Sequence, residues 1–276
     1  MTTIEFAKGH GTENDFVILF DPDGRLELTT DQVAMIADRH RGLGADGILR
    51  VVRSVLVPEA DKSAEWFMDY RNADGSIVEM CGNGVRVFAR YLQEQGLGSA
   101  AGQDISTRAG IKHTTFDSDG SITVDMGPPR ILGASSTRVQ DTLVSGLGVS
   151  MGNPHLAVDL AASALRLEDL DLSTEPPYDK AFFPHGVNQE FYSDAEPIDG
   201  ATLHIRMRVH ERGVGETRSC GTGICAVAVA ALSRSGHDAG VVAVDVPGGR
   251  LYTDVSAERV LLSGPAVIVA RGRLSL

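Results

Sequence analysis

Two cysteines in closely similar surroundings are the residues of this sequence best suited to chemistry. Cys81 opens the segment CGNG and Cys220 opens CGTG, and each precedes an apolar stretch that is compatible with a helix. A sulfur at the start of a helix lies near unpaired N–H groups and the positive end of the helix dipole, which favours the thiolate. The neighbouring glycines leave backbone N–H groups open to a ligand carboxylate. Each segment therefore predicts a thiol that can act as a base or nucleophile near neutral pH.

The two cysteine segments belong to an internal repeat of about half the chain. They lie 139 residues apart, and the same offset aligns Asn14 with Asn153 and Asn72 with Glu211. Three matches in one register predict two equivalent halves around a pseudo-twofold axis, so that two thiols flank one substrate from opposite sides. Inversion at a carbon centre requires such an arrangement of acid and base. A coincidence between two Gly-rich segments is the alternative interpretation.

Short strands are expected to form most of the structure that positions these thiols. Nine runs are β-branched or alternate in polarity and are bounded by turn residues, which is typical of strands; they are FVILFD, ILRVVRS, EWFMDYR, ITVDMG, HLAVDL, NQEFYSD, TLHIRMRV, VVAVDV and VLLSG. Three helices are predicted: residues 31–40 with Thr30 as N-cap, and the segments after the cysteines, which end at Gly96 and Gly236. The last two are so apolar that they must be buried.

The predicted fold class is therefore α+β, with two pseudo-symmetric domains, each a curved and mostly antiparallel sheet wrapped around a central helix. A length of 276 residues fits two domains at about 150 residues each. The predicted halves are residues 1–128, which carry Cys81, and residues 129–265, which carry Cys220. A C-terminal strand at 266–276 is expected to return to the first half.

Composition excludes several classes of partner. The chain is 42% apolar and 22% charged, as in ordinary globular proteins, and its net charge of −12 with scattered basic residues argues against nucleic acid. The longest apolar run, 224–232, is too short to span a bilayer, and the N-terminus lacks the pattern of a secretory signal. We therefore expect a cytoplasmic protein that does not bind a membrane.

No cofactor or metal motif is found. The segment GLGADG at 42–47 fits the GxGxxG pattern, but it follows a predicted helix and precedes a strand, whereas a dinucleotide site requires the reverse order. A zinc site around Cys220 and Cys225 would need further ligands at a suitable spacing. Cys225 falls within an apolar helix and is expected to be a buried core residue. The sequence thus predicts chemistry without a cofactor or metal.

The cysteine segments and their neighbours resemble the diaminopimelate epimerase family. The resemblance is carried by NADGSIVEMCGNGVR, GNPH, GVNQEF and HERGVGETRSCGTG, in the expected order, and by TENDF and GLGADG near the N-terminus. It covers most of the chain. It implies an enzyme that interconverts LL- and meso-2,6-diaminopimelate without a cofactor in bacterial lysine and peptidoglycan synthesis. It also implies two pseudo-symmetric domains and a homodimer.

The resemblance also implies roles for individual residues. Cys81 and Cys220 become the catalytic acid and base, with His155 beside the first thiol and Glu211 beside the second. The positions that match substrate contacts are Asn14, Asn72, Asn153, Asn188, Glu211 and Arg212. The positions that match the backbone cradle for the reacting carboxylate are Gly82, Asn83, Gly221 and Thr222.

Two segments depart from the family pattern. The first segment reads GTENDF where many members have GLGNDF, and Gly47 stands where many members carry Gln. Because glycine has no polar side chain, one substrate contact must be made by another residue or be absent.

Three other functions compete with the epimerase. Proline and hydroxyproline racemases of the same fold also use paired cysteines, but Asn72, Asn188 and Arg212 favour a substrate with a second amino-acid head. A cysteine hydrolase would not explain the duplicated thiol. A binding protein without catalysis would not explain why both thiols are present.

Overall fold

The computed structural model describes residues 3–275, which form three α-helices and seventeen β-strands. The helices are α1 (Thr30–Ala37), α2 (Gly82–Glu94) and α3 (Gly221–Arg234). The strands are β1 (Thr3–Gly11), β2 (Asn14–Phe20), β3 (Gly47–Arg53), β4 (Trp66–Asn72), β5 (Gly102–Thr107), β6 (Gly110–Phe116), β7 (Ile122–Asp125), β8 (Arg130–Val139), β9 (Thr142–Ser150), β10 (Pro154–Asp159), β11 (Asn188–Asp194), β12 (Leu203–Glu211), β13 (Gly215–Thr217), β14 (Gly240–Val246), β15 (Gly249–Val255), β16 (Val260–Gly264) and β17 (Val267–Ser275). None of the helices in this part of the chain is long and apolar enough to cross a membrane.

The chain divides into two compact units. One extends to Val124 and resumes at Gly264, and the other is Asp125–Ser263. The strands of the first unit are ordered β17, β1, β2, β3, β4, β5, β6, β7. The pairs β2–β3 and β4–β5 are parallel, and the other pairs are antiparallel.

The second unit repeats this plan. Its strands are ordered β8, β9, β10, β11, β12, β14, β15, β16, and β13 forms a short hairpin partner of β12. The parallel pairs, β10–β11 and β12–β14, fall at the same places in the order. The register also corresponds, because Phe16 pairs with Gly47 as His155 pairs with Asn188. The predicted α+β fold with two pseudo-symmetric halves is confirmed.

Each unit is built around one of the two helices that follow a cysteine. Helix α2 contacts β1 to β6 and β17, and α3 contacts β9 to β12, β14 and β15. Nearly every side chain of α3 up to Leu232 is buried, as its apolar sequence requires. Both helices end before a glycine with positive φ, Gly96 and Gly236, where L side chains are strained. These helices were predicted correctly, and they hold each cysteine against a packed core.

Helix α1 differs from its prediction at both ends. Its N-cap is Thr29 rather than Thr30, because the Thr29 hydroxyl accepts from the Gln32 N–H while the Gln32 side chain accepts from the Thr29 N–H. This capping box satisfies two donors at once. The helix stops at Ala37 rather than continuing to residue 40, since Asp38 adopts an extended conformation.

The nine predicted strand segments all contain strands, but several strands escaped prediction. Short turns join β6 to β7 and β14 to β15. The strands that were not predicted are β1, β5, β6, β8, β9, β13 and β15. Some of them, such as GQDIST and TLVSGLGVS, contain glycines and polar residues and lack the apolar alternation on which strand prediction depends.

Candidate active site

The first thiol caps the helix of the first unit. Cys81 is the extended N-cap residue of α2, and its sulfur accepts a hydrogen bond from the Gly84 N–H at 3.4 Å. The thiol donates to Asn14 Oδ1 at 3.7 Å. The side chain is partly exposed, so it can meet a ligand. This is the helix-start geometry that the sequence predicted, with Asn14 as an immediate neighbour of the sulfur.

Asn14 is held in place by charged residues that the sequence analysis did not select. Its Nδ2 donates to Asp46 Oδ2 at 2.8 Å, and Asn83 Nδ2 donates to its Oδ1 at 3.2 Å. Asp46 in turn forms a 2.7 Å ion pair with Arg39, which also pairs with Asp15 at 2.8 Å. The amide of Asn14 is thereby fixed with its oxygen toward Cys81. Asp46 within GLGADG and Asp15 within TENDF were the sequence signals for this network.

A fully buried arginine orients Asn83. Arg86 Nη2 donates to Asn83 Oδ1 and to Thr12 Oγ1, both at 2.9 Å. Charged residues are almost never fully buried unless their donors are satisfied. A single charge in the apolar stretch VRVF could have indicated this role, because Arg86 falls on the buried face of α2.

The second thiol is in a different chemical environment. Cys220 is the buried N-cap of α3, and its sulfur is 3.6 Å from Thr222 Oγ1. Burial raises the pKa of Cys220 well above its usual value, and the charges of Glu211 and Glu190 raise it further. Hydrogen bonds from Thr222 and the Gly223 N–H oppose this rise but do not cancel it. The expectation that a helix start favours the thiolate is therefore wrong for Cys220, because burial and two carboxyl groups outweigh the helix terminus.

Glu211 contacts Cys220 as the resemblance implied. Its carboxylate accepts a hydrogen bond from the Cys220 thiol and another from the Thr217 hydroxyl. Burial of the carboxyl raises the pKa of Glu211, and the nearby Glu190 adds to the rise. A carboxyl whose pKa is raised toward neutrality is suited to take up and release protons.

His155 forms a buried pair with Glu190. Both side chains are fully buried, with Nδ1 of His155 at 2.7 Å from Glu190 Oε1. The other ring nitrogen is 3.0 Å from Asn153 Oδ1, while Asn153 Nδ2 donates to Thr222 Oγ1 at 3.4 Å. With the Asn153 amide in this orientation, Nε2 of His155 must donate, so a proton must also lie between Nδ1 and Glu190. Glu190 was not predicted, although an acidic residue inside the buried strand of GVNQEF was a usable signal.

The acid–base pair has no counterpart in the first unit. By strand register, His155 corresponds to Phe16, and Glu190 corresponds to Leu49. The same positions of the repeated fold thus hold two apolar residues in one unit and the hydrogen-bonded His155–Glu190 pair in the other. The two thiols are equivalent in position but differ in their chemical surroundings.

The remaining candidate residues divide between the two units. Asn72 donates to Ser76 Oγ at 3.2 Å and accepts from the Tyr70 hydroxyl at 2.9 Å. Asn188 donates to the Pro154 carbonyl at 3.1 Å and accepts the backbone N–H of Arg212 at 2.9 Å. The exposed guanidinium of Arg212 donates to a backbone carbonyl at 2.9 Å.

The geometry thus groups most, but not all, of the predicted residues around a thiol. Around Cys81 it brings together Asn14, Asn83 and the backbone of Gly82, and around Cys220 it brings together Glu211, Thr222 and the backbone of Gly221. Asn153 and His155 join the second group through Thr222, whereas Asn188 and Arg212 contact each other. Cys225 is completely buried. Within residues 3–275, no group of His, Cys, Asp and Glu is arranged to hold a metal ion.

Comparisons with known proteins agree with one another. The family model for diaminopimelate epimerase matches residues 6–132 and 147–269. The chain is 51% identical to a diaminopimelate epimerase of Rhodococcus opacus, covering 98% of this chain and 97% of that one. It is 52% identical to one of Thermobifida fusca, covering 99% of this chain and 98% of that one.

Among solved structures, a hydroxyproline epimerase from Agrobacterium vitis matches with a TM-score of 0.70 at 14% identity, covering 99% of this chain and 93% of that one. A phenazine biosynthesis protein of the PhzF family from Bacillus anthracis matches with a TM-score of 0.72 at 18% identity, with both chains fully covered. At these identities, the structural matches show the fold alone.

Proposed function

The chain belongs to the diaminopimelate epimerase family and is an isomerase, and from that premise we propose that its two thiols epimerise LL-2,6-diaminopimelate as acid and base, without a cofactor. The proposal rests on one observation: in each unit, a cysteine is the N-cap residue of a buried helix. A single nucleophile would not require the duplication. Two proton-transfer groups for one carbon centre do require it.

The proposed reaction needs only a proton transfer at each sulfur. One thiolate removes the α-proton of the substrate, the C–H electron pair remains on carbon, and the adjacent carboxylate takes up the developing charge. The other thiol then gives its proton to the opposite face of the carbon. At the end, the first sulfur is protonated and the second is a thiolate, so the reverse reaction exchanges their roles.

The start of each helix is suited to stabilise the charge that develops on the carboxylate. Unpaired backbone N–H groups at a helix N-terminus attract anions, and Gly82 and Gly221 add no side chain that would block their approach. We assign this cradle to Gly82, Asn83, Gly221 and Thr222. Arg212, as the basic member of the predicted contacts, is assigned to the distal carboxylate, which a guanidinium can bind in a bidentate manner.

The resting protonation of the thiols is proposed from their surroundings. Burial and the neighbouring carboxyls favour the neutral thiol at Cys220, so Cys220 is the proton donor when Cys81 is the base. Glu211, which accepts from the Cys220 thiol, is the group that restores or removes its proton. The acid–base role of His155 and the contacts assigned to Asn14, Asn72, Asn153 and Asn188 are part of the same proposal.

The decisive experiment follows the α-proton. LL-Diaminopimelate is incubated with the enzyme in deuterated water, and loss of the α-proton signal is followed by NMR together with formation of the meso isomer. Cys81→Ala and Cys220→Ala should each abolish epimerisation, while Cys225→Ala, a change at a buried core residue of α3, should leave the chemistry intact. Near-normal turnover by either of the first two variants would overturn the two-thiol mechanism.

We further propose that the protein acts in the cytoplasm as a homodimer. The family resemblance supports the dimer, and membership in a family of biosynthetic enzymes supports the compartment. Light scattering across a concentration series tests the assembly. A mass equal to that of one chain, 29.3 kDa, at micromolar concentration would contradict the dimer.

A further inference from the structure

A buried tyrosine directly contacts Asn72. Tyr70 lies two residues before Asn72 on β4, so both side chains point to the same face of the sheet. The Tyr70 ring is packed edge-on against Phe16, with ring centroids 5.9 Å apart, and only 7% of the residue is exposed. Its hydroxyl donates to Asn72 Oδ1 at 2.9 Å. The donor is therefore held rigidly by packing rather than supplied by a mobile side chain.

The ring occupies space that Gly47 leaves open. Gly47 is paired with Asn72 across β3 and β4. A Cβ atom at Gly47 would lie 2.6 Å from Tyr70 Cε2 and 2.7 Å from the backbone oxygen of Arg71. No residue other than glycine fits there while the Tyr70 ring keeps its position. The absence of a side chain at Gly47 and the presence of the ring at Tyr70 are thus two parts of one packing arrangement.

In the second unit, the polar and apolar residues at the corresponding positions are exchanged between the two neighbouring strands. By strand register, Gly47 corresponds to Asn188, and Tyr70 corresponds to Val209. The second unit has the polar side chain on its β11 strand and a smaller apolar residue on β12. The first unit has glycine on β3 and the polar tip on β4. A polar group is therefore present at this position in both units, but it belongs to β4 in the first unit and to β11 in the second.

From this arrangement we propose that Tyr70 is a positioning residue that fixes the amide of Asn72 so that it donates to a substrate carboxylate. Because the Tyr70 hydroxyl donates to Oδ1 of Asn72, the N–H groups of the amide must point toward other acceptors. One N–H donates to Ser76 Oγ at 3.2 Å, and the other can donate to an anionic ligand, since Asn72 is partly exposed. The inference rests on the proposed function, in which Asn72 contacts diaminopimelate.

Removal of one hydroxyl tests the proposal directly. Tyr70→Phe keeps the ring and deletes the donor, so the amide of Asn72 can rotate. We expect KM for LL-diaminopimelate to rise roughly threefold to tenfold, the range of one neutral hydrogen bond, with kcat changed by less than about twofold. Tyr91→Phe is the matched control, because Tyr91 is equally buried in the same unit but belongs to α2. Equal kinetics for the two variants would overturn the proposal.

A double-mutant cycle shows whether Tyr70 acts through Asn72. Dissociation constants for LL-diaminopimelate are measured by calorimetry in a Cys81→Ala background, which removes turnover. If Tyr70 acts through Asn72, Tyr70→Phe weakens binding only while Asn72 is present and has no further effect in Asn72→Ala. Equal effects in both backgrounds would overturn the inference but leave Asn72 as a substrate contact. Unchanged binding by Asn72→Ala would overturn the contact itself, and with it the role of Tyr70. Thermal unfolding of each variant identifies any loss of fold.

Discussion

Gly223→Ala tests whether the buried His155–Glu190 pair constrains the helix that carries Cys220. Gly223 is in the first turn of α3. An added Cβ would lie 2.5 Å from Glu190 Oε1 and 3.0 Å from Glu190 Cγ. The Glu190 side chain has no room to yield, because it is fully buried and bonded to His155 at 2.7 Å. The substitution therefore forces either the pair apart or the helix outward.

The expected loss of stability follows from three contributions. Alanine is favoured over glycine within a helix by about 1 kcal/mol. Overpacking of a well-packed core costs about 1–3 kcal/mol. A weakened hydrogen bond to a charged group costs about 1.5–3 kcal/mol. We therefore expect the free energy of unfolding to fall by about 1.5–5 kcal/mol.

Gly84→Ala is the matched control, since Gly84 has the same place in α2. A Cβ there would lie 3.4 Å from Cys81 Cβ, 3.4 Å from Leu49 Cδ2 and 3.6 Å from Phe16 Cζ, which are ordinary van der Waals distances. Leu49 occupies the position that Glu190 holds in the other unit, so no acid–base pair is disturbed. The helix preference for alanine should then dominate, and Gly84→Ala should be as stable as the parent or up to about 1 kcal/mol more stable.

Urea unfolding and thermal unfolding, both followed by circular dichroism, measure the two variants under the same conditions. A protein of this size changes its Tm by about 2–4 °C per kcal/mol, so Gly223→Ala should melt at least about 3 °C below Gly84→Ala. If Gly223→Ala is as stable as the parent, Glu190 can move without cost, and the rigid buried pair would be an incorrect description.

Three further predictions address the ligand contacts and the pH dependence. Arg212→Lys should raise KM for diaminopimelate by about tenfold or more, because a point charge replaces a bidentate donor; unchanged steady-state kinetics would remove Arg212 from the site. Glu211→Gln should become more stable relative to the parent as pH rises from 4 to 8. The pKa of Glu211 is raised in the folded parent, so ionisation of this carboxyl destabilises the folded parent at pH values above the pKa that Glu211 has in the unfolded chain. The amide of Gln does not ionise, so the variant loses no stability in this way. Urea unfolding at several pH values tests this, and a constant stability difference would contradict it. Asp46→Ala should raise KM several-fold, because Asn14 loses its hydrogen bond to Asp46, while the free energy of unfolding should fall by about 1 kcal/mol or less, because half-exposed ion pairs contribute little. Asp38→Ala is the control, and an equal KM for the two variants would show that the hydrogen bond from Asn14 to Asp46 has no function.

Much of the architecture was determined locally and could be predicted. The helices after Cys81 and Cys220 are apolar enough that only a buried position suits them, and each ends at a glycine that permits positive φ. The strands with β-branched residues were found because their pattern repeats every two residues. The spacing of 139 residues between the cysteines revealed the repeat, because Asn14 and Asn153 are separated by the same number of residues.

The chemical difference between the two thiols was decided by tertiary structure. Similar tetrapeptides predict similar sulfur environments, but the pKa of Cys220 is raised by burial and by Glu211 and Glu190, which strand pairing brings from other parts of the chain. The anchoring of Asn14 by Asp46, and the use of the space at Gly47 by the Tyr70 ring, depend in the same way on strand register. Sequence determines which residues are present and how each segment folds. Electrostatic and steric effects act over a few ångströms between distant segments, so only the folded chain decides which neighbours set the properties of each residue.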